Sequence, residues 1–455
     1  MLPRGFHIHL QFFSTIFGNL LNLTYGLTIG WICIYGNKFH TDSNPLQVPS
    51  LNSIELKWID LSLYIGALIG TVFLTIAGDV FGRKYTLVVL IVPQASAFLL
   101  KMLATNATEL YIGRFLSGFT AGGSINLIVL YVAELADDKF RGRLNSILPF
   151  SITLGTLIIF TSDMFLSFFK IASISLVILT LFLCTYTFFP DTPRQLYKIR
   201  RKEQAIQSLQ IYRDIRDLEF QTDDCYLIEV KKLRRILKKE RGCTFEKNGR
   251  ATTKSFIISI ALIMLNVYVN WFVQFHLTWH PLLDTKILGV GTFRIVIAAC
   301  QLSGSLLCLL LVDFIERKLL LLVSIFGITL SHIIYVIFVN SRDQTTLPIL
   351  FVAIAAFSLH FGVYPLTFVL IPEIIQEKIR IYGITFMSCL MWLLMLSFSC
   401  VEWTIFNLLN NDTYVGLIIP IIFNIICFVI FSIYVPPTKK KSYHEIFTHL
   451  NLGVE

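Results

Sequence analysis

Long apolar runs separated by short polar turns follow one another along the whole chain. Each run is long enough to cross about 30 Å of hydrocarbon as an α-helix, which rises about 1.5 Å per residue. Segmentation by apolar length predicts twelve spans, at about 10–34, 59–78, 85–104, 109–131, 144–164, 169–189, 255–277, 292–312, 318–339, 347–371, 383–407 and 415–435. The pattern therefore predicts an all-α membrane protein with two six-helix halves, 10–189 and 255–435. A polar linker fills 190–254, where apolar spacing predicts short amphipathic helices at 203–212 and 226–237, and polar ends occupy 1–9 and 436–455.

The composition supports this class. The 455 residues are 55% hydrophobic and only 15% charged, whereas soluble domains are about 25% charged. Lys and Arg number 38 against 29 Asp and Glu, a surplus that in membrane proteins points to cytoplasmic loops and anionic lipid rather than nucleic acid. The nine cysteines show no metal-ligand or paired extracellular spacing, so neither disulfides nor a metal or other cofactor is expected.

The distribution of cations predicts the orientation. If both termini and the linker are cytoplasmic, 30 of the 38 Lys and Arg residues fall inside. The eight outside are Lys38, Lys57, Lys101, Arg114, Lys170, Lys286, Arg294 and Arg342. Under the positive-inside rule this bias predicts a multi-pass protein of the cell membrane with cytoplasmic termini. We expect membrane lipid as its surroundings and a monomeric state.

A pattern of four charges occurs twice, about half a chain apart. In each copy the first acid precedes a base by four residues, and the second acid precedes another base by seven. The charges are Asp79, Arg83, Glu134 and Arg141 in the first copy and Asp313, Arg317, Glu373 and Arg380 in the second. Such repetition indicates internal duplication, and the main precedent for it is the membrane transporters built from parallel repeats.

Six stretches carry a resemblance to a known family. They are 66–70, 113–118, 131–142, 190–194, 372–380 and 435–439. On these motifs the chain resembles the sugar porter branch of the major facilitator superfamily and, within it, the insect facilitated trehalose and glucose transporters. The resemblance implies the major facilitator fold and transport by alternating access. It also implies that the repeated charges, with Arg194, form the cytoplasmic salt-bridge latch of the outward-facing state. The alternative is that these charges only anchor helix ends at the membrane surface.

The residues expected to contact sugar depart from the family pattern. Pro149 stands where the family has Gln, Phe368 where it has Trp, and Met391 where it has Asn. Asn266, Asn270 and Gln274 recur every four residues and so share one helix face, which offers a partial replacement. The candidate solute-binding residues are Asn266, Asn270, Trp271, Gln274, Gln301, Tyr364, Phe368 and Trp392. The alternative is that the amides bond to neighbouring helices, and His360 is interpreted as a packing residue.

The predicted function is facilitative uniport of a small sugar such as trehalose or a hexose, or of a polyol. The first span contains no Asp or Glu, where the resemblance implies a carboxylate in proton-coupled relatives. No nucleophile–base pair, metal cluster or phosphate-binding loop is visible, so the chain is not expected to be an enzyme. Two alternatives stay open: a transport-deficient sensor or scaffold, and a transporter of a different small solute.

Overall fold

The structure is a computed structural model that describes residues 6–39, 51–137, 139–213, 249–278, 289–339, 347–409, 415–439, 441 and 443–452. Its regular elements within these ranges are helices, without a β-strand. They are α1 (Phe6–Gly18), α2 (Leu20–Lys38), α3 (Ser53–Phe81), α4 (Arg83–Val89), α5 (Ile91–Leu103), α6 (Ala107–Leu135), α7 (Arg141–Phe165), α8 (Phe168–Tyr186), α9 (Pro193–Lys198), α10 (Lys202–Arg213), α11 (Gly249–Thr278), α12 (Val290–Leu311), α13 (Arg317–Val339), α14 (Leu347–Phe361), α15 (Val363–Ile374), α16 (Arg380–Leu409), α17 (Val415–Tyr434) and α18 (Tyr443–Leu452).

Eleven stretches of the described chain are long and apolar enough to cross a membrane. They are Leu10–Gly36, Ser53–Phe81, Arg83–Leu103, Ala107–Leu135, Arg141–Phe165, Phe168–Tyr186, Ala251–Gln274, Val290–Leu311, Arg317–Phe338, Ile349–Ile374 and Arg380–Val401. The twelfth predicted span coincides with α17, whose described apolar part, Ile421–Tyr434, is shorter. The prediction of an all-helical membrane protein is confirmed. We call α1–α8 the first half and α11–α17 the second half.

Helix α3 begins six residues before the predicted span. A capping box starts it at Ser53. In this box the backbone nitrogen of Asn52 donates to Glu55 Oε2 at 2.8 Å. Such a box satisfies amides that would otherwise lack partners at a helix start. Hydropathy alone missed this turn because Glu55 and Lys57 are charged.

Glycines bring α3 and α6 into backbone contact. A Cβ atom added at Gly66 or Gly70 would collide with a backbone oxygen of α6. One added at Gly118 or Gly122 would collide with a backbone oxygen of α3. Both pairs have the four-residue spacing of membrane helices that pack through small residues. The glycines of the family-like motifs therefore fix the separation of these two helices.

Helix α1, the described linker helices α9 and α10, and helix α18 meet one end of the bundle, which we call the latch end because it also carries the repeated charges. Helix α10 confirms the helix expected near residues 203–212, and Tyr212 anchors it. The Tyr212 hydroxyl lies 3.1 Å from that of Tyr131, and Gln11 Nε2 donates to the Tyr212 carbonyl at 2.9 Å. A second helix expected at 226–237 lies outside the described residues.

Candidate functional site

The first copy of the repeated charges forms an ion-pair cluster at the turn between α3 and α4. Arg83 is the first residue of α4, and its side chain is 1% exposed. Its Nη2 atom lies 3.4 Å from Glu134 Oε1 and 3.7 Å from Asp79 Oδ1. Gly82 makes the turn with φ of +112°, a conformation that favours glycine. Glu134 also accepts a hydrogen bond from Thr192 Oγ1 at 2.8 Å. This cluster ties the linker to the first half.

The second copy has a similar arrangement at the turn between α12 and α13. Arg317 is the first residue of α13, its Nη1 atom lies 2.7 Å from Glu373 Oε2, and its Nη2 atom lies 3.5 Å from Asp313 Oδ1. Glu316, which takes the place of the turn glycine, is exposed. The repeated spacing thus brings an arginine and two carboxylates together in each half.

Two arginines of α7 cross from the first half to the second. Arg141 Nε lies 3.1 Å from Glu373 Oε1, and both side chains are at most 1% exposed. Arg143 approaches Asp313 Oδ2 with its Nε at 3.6 Å and its backbone nitrogen at 3.3 Å. Gly142 permits this approach, since a Cβ there would collide with the Asp313 carboxylate. Arg141, Arg143, Asp313, Arg317 and Glu373 are called the latch below.

The remaining predicted latch residues lie at helix starts of the same end. Arg194 is the second residue of α9, and Arg380 is the first residue of α16 and is buried. Helix α9 is held against the α3–α4 turn because Gln195 Nε2 donates to the Asp79 carbonyl at 3.1 Å and Lys198 Nζ lies 2.6 Å from Asp79 Oδ2. The nine predicted charges therefore all lie at the latch end.

The C-terminal tail also contacts the latch, which the sequence did not predict. Arg317 Nη1 donates to the Thr438 carbonyl at 2.9 Å, and Arg141 Nη2 donates to the Lys441 carbonyl at 3.0 Å. Both arginines that hold Glu373 thus hold the tail as well. The family-like stretch 435–439 marked this part of the tail in the sequence, but it did not indicate which residues the tail contacts.

Burial changes the acidity of two carboxyl groups at this end. It raises the pKa of Asp313, although Arg317 and Arg143 oppose the shift. It likewise raises the pKa of Asp191, against hydrogen bonds from the backbone of Thr192 and Lys84. Desolvation outweighs ion pairing at both positions.

A cavity of about 600 Å³ lies between the halves. Its first-half wall comes from α2, α3, α6 and α7 and carries aliphatic side chains, including Ile29, Ile32 and Ile152, together with hydroxyl groups, aromatic rings and charged side chains. Its second-half wall comes from α11, α12 and α14–α16 and carries amides and aromatic rings. The cavity reaches Ser53 and Ile54 at the start of α3, on the side away from the latch end. Both walls therefore combine apolar surface with groups that can form hydrogen bonds.

Five of the eight predicted solute-binding residues line this cavity. They are Asn270, Trp271, Gln274, Gln301 and Tyr364. The four-residue spacing of Asn270 and Gln274 on α11 puts both amides on the cavity side. Gln274 also reaches the first half, because its Nε2 atom donates to Cys33 Sγ at 2.8 Å. One wall of the cavity is thus joined to the other by an amide predicted to bind solute.

The other three predicted residues lie behind the cavity wall. Asn266 Oδ1 accepts a hydrogen bond from Asn270 Nδ2 at 2.7 Å, and the Phe368 ring packs edge-on against Tyr364 with centroids 5.5 Å apart. Trp392 is 1% exposed and packs edge-on against Tyr25 with centroids 5.8 Å apart. These residues support lining residues and do not themselves face the cavity.

His360 lines the cavity while its ring is already hydrogen-bonded. Its Nδ1 atom lies 2.9 Å from the Ala356 carbonyl, and its ring centroid lies 4.8 Å from that of Tyr364. In the neutral ring with its proton on Nδ1, Nδ1 donates to this carbonyl and Nε2 is left as an acceptor. His360 therefore combines the predicted packing role with a place on the wall.

The structure corrects the positions of Lys101 and Arg114, which the cation count placed outside the membrane. Both are buried between helices, with 2% and 1% exposure. Lys101 Nζ donates to Ser117 Oγ at 3.0 Å, and Arg114 Nη2 lies 3.2 Å from Asp60 Oδ1. Helix α5 continues past Lys101 to Leu103, and α6 begins at Ala107, seven residues before Arg114. The predicted spans 85–104 and 109–131 already contained both residues, but the cation count assigned each to the nearer membrane surface, and this explains the error.

The comparisons with known proteins agree with the fold. The family model described as "Sugar (and other) transporter" matches residues 16–450. "Sugar transporter ERD6-like 6" of Arabidopsis thaliana is 25% identical over 319 residues, which are 68% of this chain but only 62% of that protein, so this chain spans less than two thirds of it. "Glucose transporter type 3" of Drosophila melanogaster is 23% identical over 447 residues, which are 95% of this chain and 85% of that protein.

A solved structure shares the architecture over nearly the full length. It is that of "the MFS (major facilitator superfamily) proton:xylose symporter XylE bound to 6-bromo-6-deoxy-D-glucose". The TM-score is 0.78 at 19% identity, and the match covers 97% of this chain and 98% of that chain. The chain therefore has the major facilitator fold and belongs to the sugar (and other) transporter family.

Proposed function

We propose that this chain carries a small sugar, such as trehalose or a hexose, across the cell membrane by alternating access. The observation that supports this best is the cavity of about 600 Å³ with Asn270, Gln274 and Gln301 on one wall. Binding sites for small molecules usually measure about 300–1,000 Å³. Amides both donate and accept hydrogen bonds, as sugar hydroxyls require.

The latch supplies the conformational change. The two halves are joined at one end by Arg141–Glu373 and Arg143–Asp313. To release a solute at that end, these pairs must separate and the arginines must find water or other partners. Ion pairs suit such a role because their net contribution is the small difference between attraction and desolvation.

We infer that the latch end is cytoplasmic. With this orientation the termini, the linker and most of the Lys and Arg residues lie inside the cell, as the positive-inside rule requires. The burial of Lys101 and Arg114 between helices removes them from the cations counted outside, which strengthens the bias toward the inside. The state with a closed latch then gives a solute access only from outside.

Three isoleucines on the first-half wall support a second candidate, a solute with fewer hydroxyl groups. Ile29, Ile32 and Ile152 offer no hydrogen bonds to a ligand. A sugar hydroxyl that lost water there without a partner would weaken binding by about 1–3 kcal/mol. A deoxy sugar or a compact alcohol would avoid this penalty.

Uptake into proteoliposomes tests the proposal. We expect saturable uptake of labelled trehalose, D-glucose or sorbitol, with a higher half-saturation concentration in Asn270→Ala. Stronger competition by 2-deoxyglucose than by D-glucose would favour the second candidate. Absence of uptake of every solute by correctly folded protein would overturn the proposal and leave the sensor or scaffold alternative.

A further inference from the structure

A cluster of neutral polar side chains lies between the cavity and the latch and belongs to neither. Its centre is Asn126 of α6, which is 0% exposed. Along α6, Asn126 lies about 18 Å beyond the cavity-lining Arg114 and about 12 Å before Glu134, at a rise of about 1.5 Å per residue. The cluster is therefore separate in depth from both the solute-binding amides and the charges of the latch end.

The Asn126 amide joins the two halves. Its Nδ2 atom donates to Thr75 Oγ1 on α3, in the same half, and to Thr385 Oγ1 on α16, in the other half, at 3.2 Å. Its Oδ1 atom accepts a hydrogen bond from Ser388 Oγ, about one turn further along α16, at 3.0 Å. Two of these three hydrogen bonds cross between the halves.

The two threonines determine the orientation of the amide. The Thr75 hydroxyl donates to the Thr71 carbonyl at 2.6 Å, and the Thr385 hydroxyl donates to the Ile381 carbonyl at 2.7 Å. A hydroxyl group has a single proton, so each threonine can only accept a hydrogen bond from Asn126. Both threonines are satisfied at once only when the amide nitrogen faces them.

Neutral hydrogen bonds suit a contact that must break and re-form in every cycle. An amide and three hydroxyl groups leave no charge unpaired when they separate, and water or the hydroxyl groups of a sugar can replace their partners. None of these four side chains titrates near neutral pH. Their contribution is therefore independent of pH, in contrast to that of Asp313.

We propose that Thr75, Asn126, Thr385 and Ser388 form an inner seal, which closes the solute path between the cavity and the latch and stabilises the state with a closed latch. This inference rests on the proposed function, because a seal between moving halves has a role only in alternating access. When the halves separate, Thr385 and Ser388 move away with α16, and Asn126 stays with Thr75. The freed amide and hydroxyl groups then line the opening and can bind the hydroxyl groups of a departing solute.

Two native thiols report on opposite ends of the solute path. Cys308 of α12 is 0% exposed, and its side chain is hydrogen-bonded to Ser146 of α7 across the boundary between the halves, close to Asp313 and Arg317. Cys400 of α16 is exposed and lines the cavity. Opening at the latch end uncovers Cys308, and closure on the other side covers Cys400.

Alkylation of the purified protein by N-ethylmaleimide, measured at each cysteine by peptide mass spectrometry, tests the proposal. In Asn126→Ala we expect the rate at Cys308 to rise at least about fivefold, because two hydrogen bonds between the halves are lost, and the rate at Cys400 to fall. A general loosening of the fold would instead raise both rates. Thr120→Ala is the matched control, since it removes a buried hydroxyl that donates to the Leu116 carbonyl within α6.

A second variant removes the seal from the other half. Thr385→Ala combined with Ser388→Ala leaves Asn126 bonded to Thr75. We expect the same opposite changes at the two cysteines, and no further change when Asn126→Ala is added, because the same two crossing hydrogen bonds are already absent. If Asn126→Ala alone does not give a monodisperse protein, this second variant decides.

The outcomes separate the seal from the proposed function. Unchanged rates at Cys308, rates that rise at both cysteines, or effects of the two variants that simply add would overturn the seal, whatever solute the chain carries. Absence of sugar uptake by the wild type in proteoliposomes would overturn the proposed function, while the two thiols still show whether Asn126 holds the halves together.

Discussion

Asn270 and Trp392 illustrate how one pair of neighbouring helices provides both the lining of the cavity and its support. The Asn270 amide lines the cavity and is oriented by Asn266, which accepts its hydrogen bond at 2.7 Å. Trp392 is 1% exposed and fills the space beside Tyr25. Their substitution by alanine should therefore affect different properties of the protein.

We expect Asn270→Ala to weaken solute binding and Trp392→Ala to weaken folding. Loss of a hydrogen-bond partner costs about 1–3 kcal/mol, so the half-saturation concentration of uptake should rise about 5- to 150-fold in Asn270→Ala. Removal of a buried Trp costs about 3–5 kcal/mol, so thermal unfolding in detergent should occur at a clearly lower temperature in Trp392→Ala. Equal effects of both variants on both measurements would contradict the assignment.

Glu373 is the carboxylate shared by the two halves. Its side chain is 0% exposed, and it lies 3.1 Å from Arg141 and 2.7 Å from Arg317. Glu373→Gln removes the negative charge that neutralises two buried arginines. Loss of one partner of a buried ion pair lowers the free energy of unfolding by about 3–5 kcal/mol. We expect a large loss of thermal stability. Glu316→Gln, which changes an exposed acid beside Arg317, should have almost no effect, and a similar loss in both variants would contradict the role of Glu373.

Residue patterns predicted the kind of side chains in the cavity better than which residues line it. The four-residue recurrence of amides on α11 predicted Asn270 and Gln274 on the cavity side, as the structure places them. The same reasoning predicted Asn266 as a lining residue, but Asn266 lies one turn before Asn270 and behind the cavity wall. Asp60 and Arg114 were missed because each is a single charge near the end of an apolar run. Only the crossing of α3 and α6 brings them together.

At the scale of whole helices, glycine spacing determines how closely α3 and α6 approach each other. A side chain at Gly118 would have to displace the backbone of α3. We expect Gly118→Leu to abolish the folded protein, seen as loss of the monodisperse peak in size-exclusion chromatography. Gly249→Leu is the matched control, because nothing lies within 4 Å of a Cβ there. Normal folding of Gly118→Leu would contradict the close approach.

The burial of Asp313 at the turn between α12 and α13 predicts that the latch responds to pH. Burial raises the pKa of Asp313 above its usual value of 3.8 in the closed latch, and contact with water in an open latch would lower it again. Asp313 then binds a proton more tightly in the closed latch than in the open latch, so acid stabilises the closed form. This stabilisation is lost as the pH rises through the raised pKa of Asp313.

We expect amide hydrogen exchange in the first turn of α7, corrected for the intrinsic rate, to slow when the pH on the latch side is lowered. Asp313→Asn carries no titrating group at this position, so it should lack the response. An equal response in wild type and variant would show that another group is responsible.

At the scale of the molecule, the repeated charges predicted two similar halves but not how the halves meet. Arg83 lies beside Asp79, and Arg317 beside Asp313, because each four-residue spacing spans the short turn between two helices. The crossing pair Arg141–Glu373 joins residues 232 positions apart. No periodicity predicts such a contact, since it depends on the docking of complete helices.

The central claim is that a small solute crosses between two halves that separate at the latch end in every cycle. Asn126 on α6 and Ser388 on α16 meet between the halves, where Ser388 Oγ donates to Asn126 Oδ1 at 3.0 Å. A short bifunctional, reducible thiol reagent can join Asn126→Cys to Ser388→Cys and hold the closed form. The two single variants treated with the same reagent are the controls.

Uptake of labelled D-glucose and trehalose by the doubly substituted protein in proteoliposomes is the most direct test. The account predicts saturable uptake before the reagent is added, loss of uptake after cross-linking and its return after reduction, with little change in either single variant. Undiminished uptake by fully cross-linked protein, or no uptake of either sugar by the wild type, would contradict it.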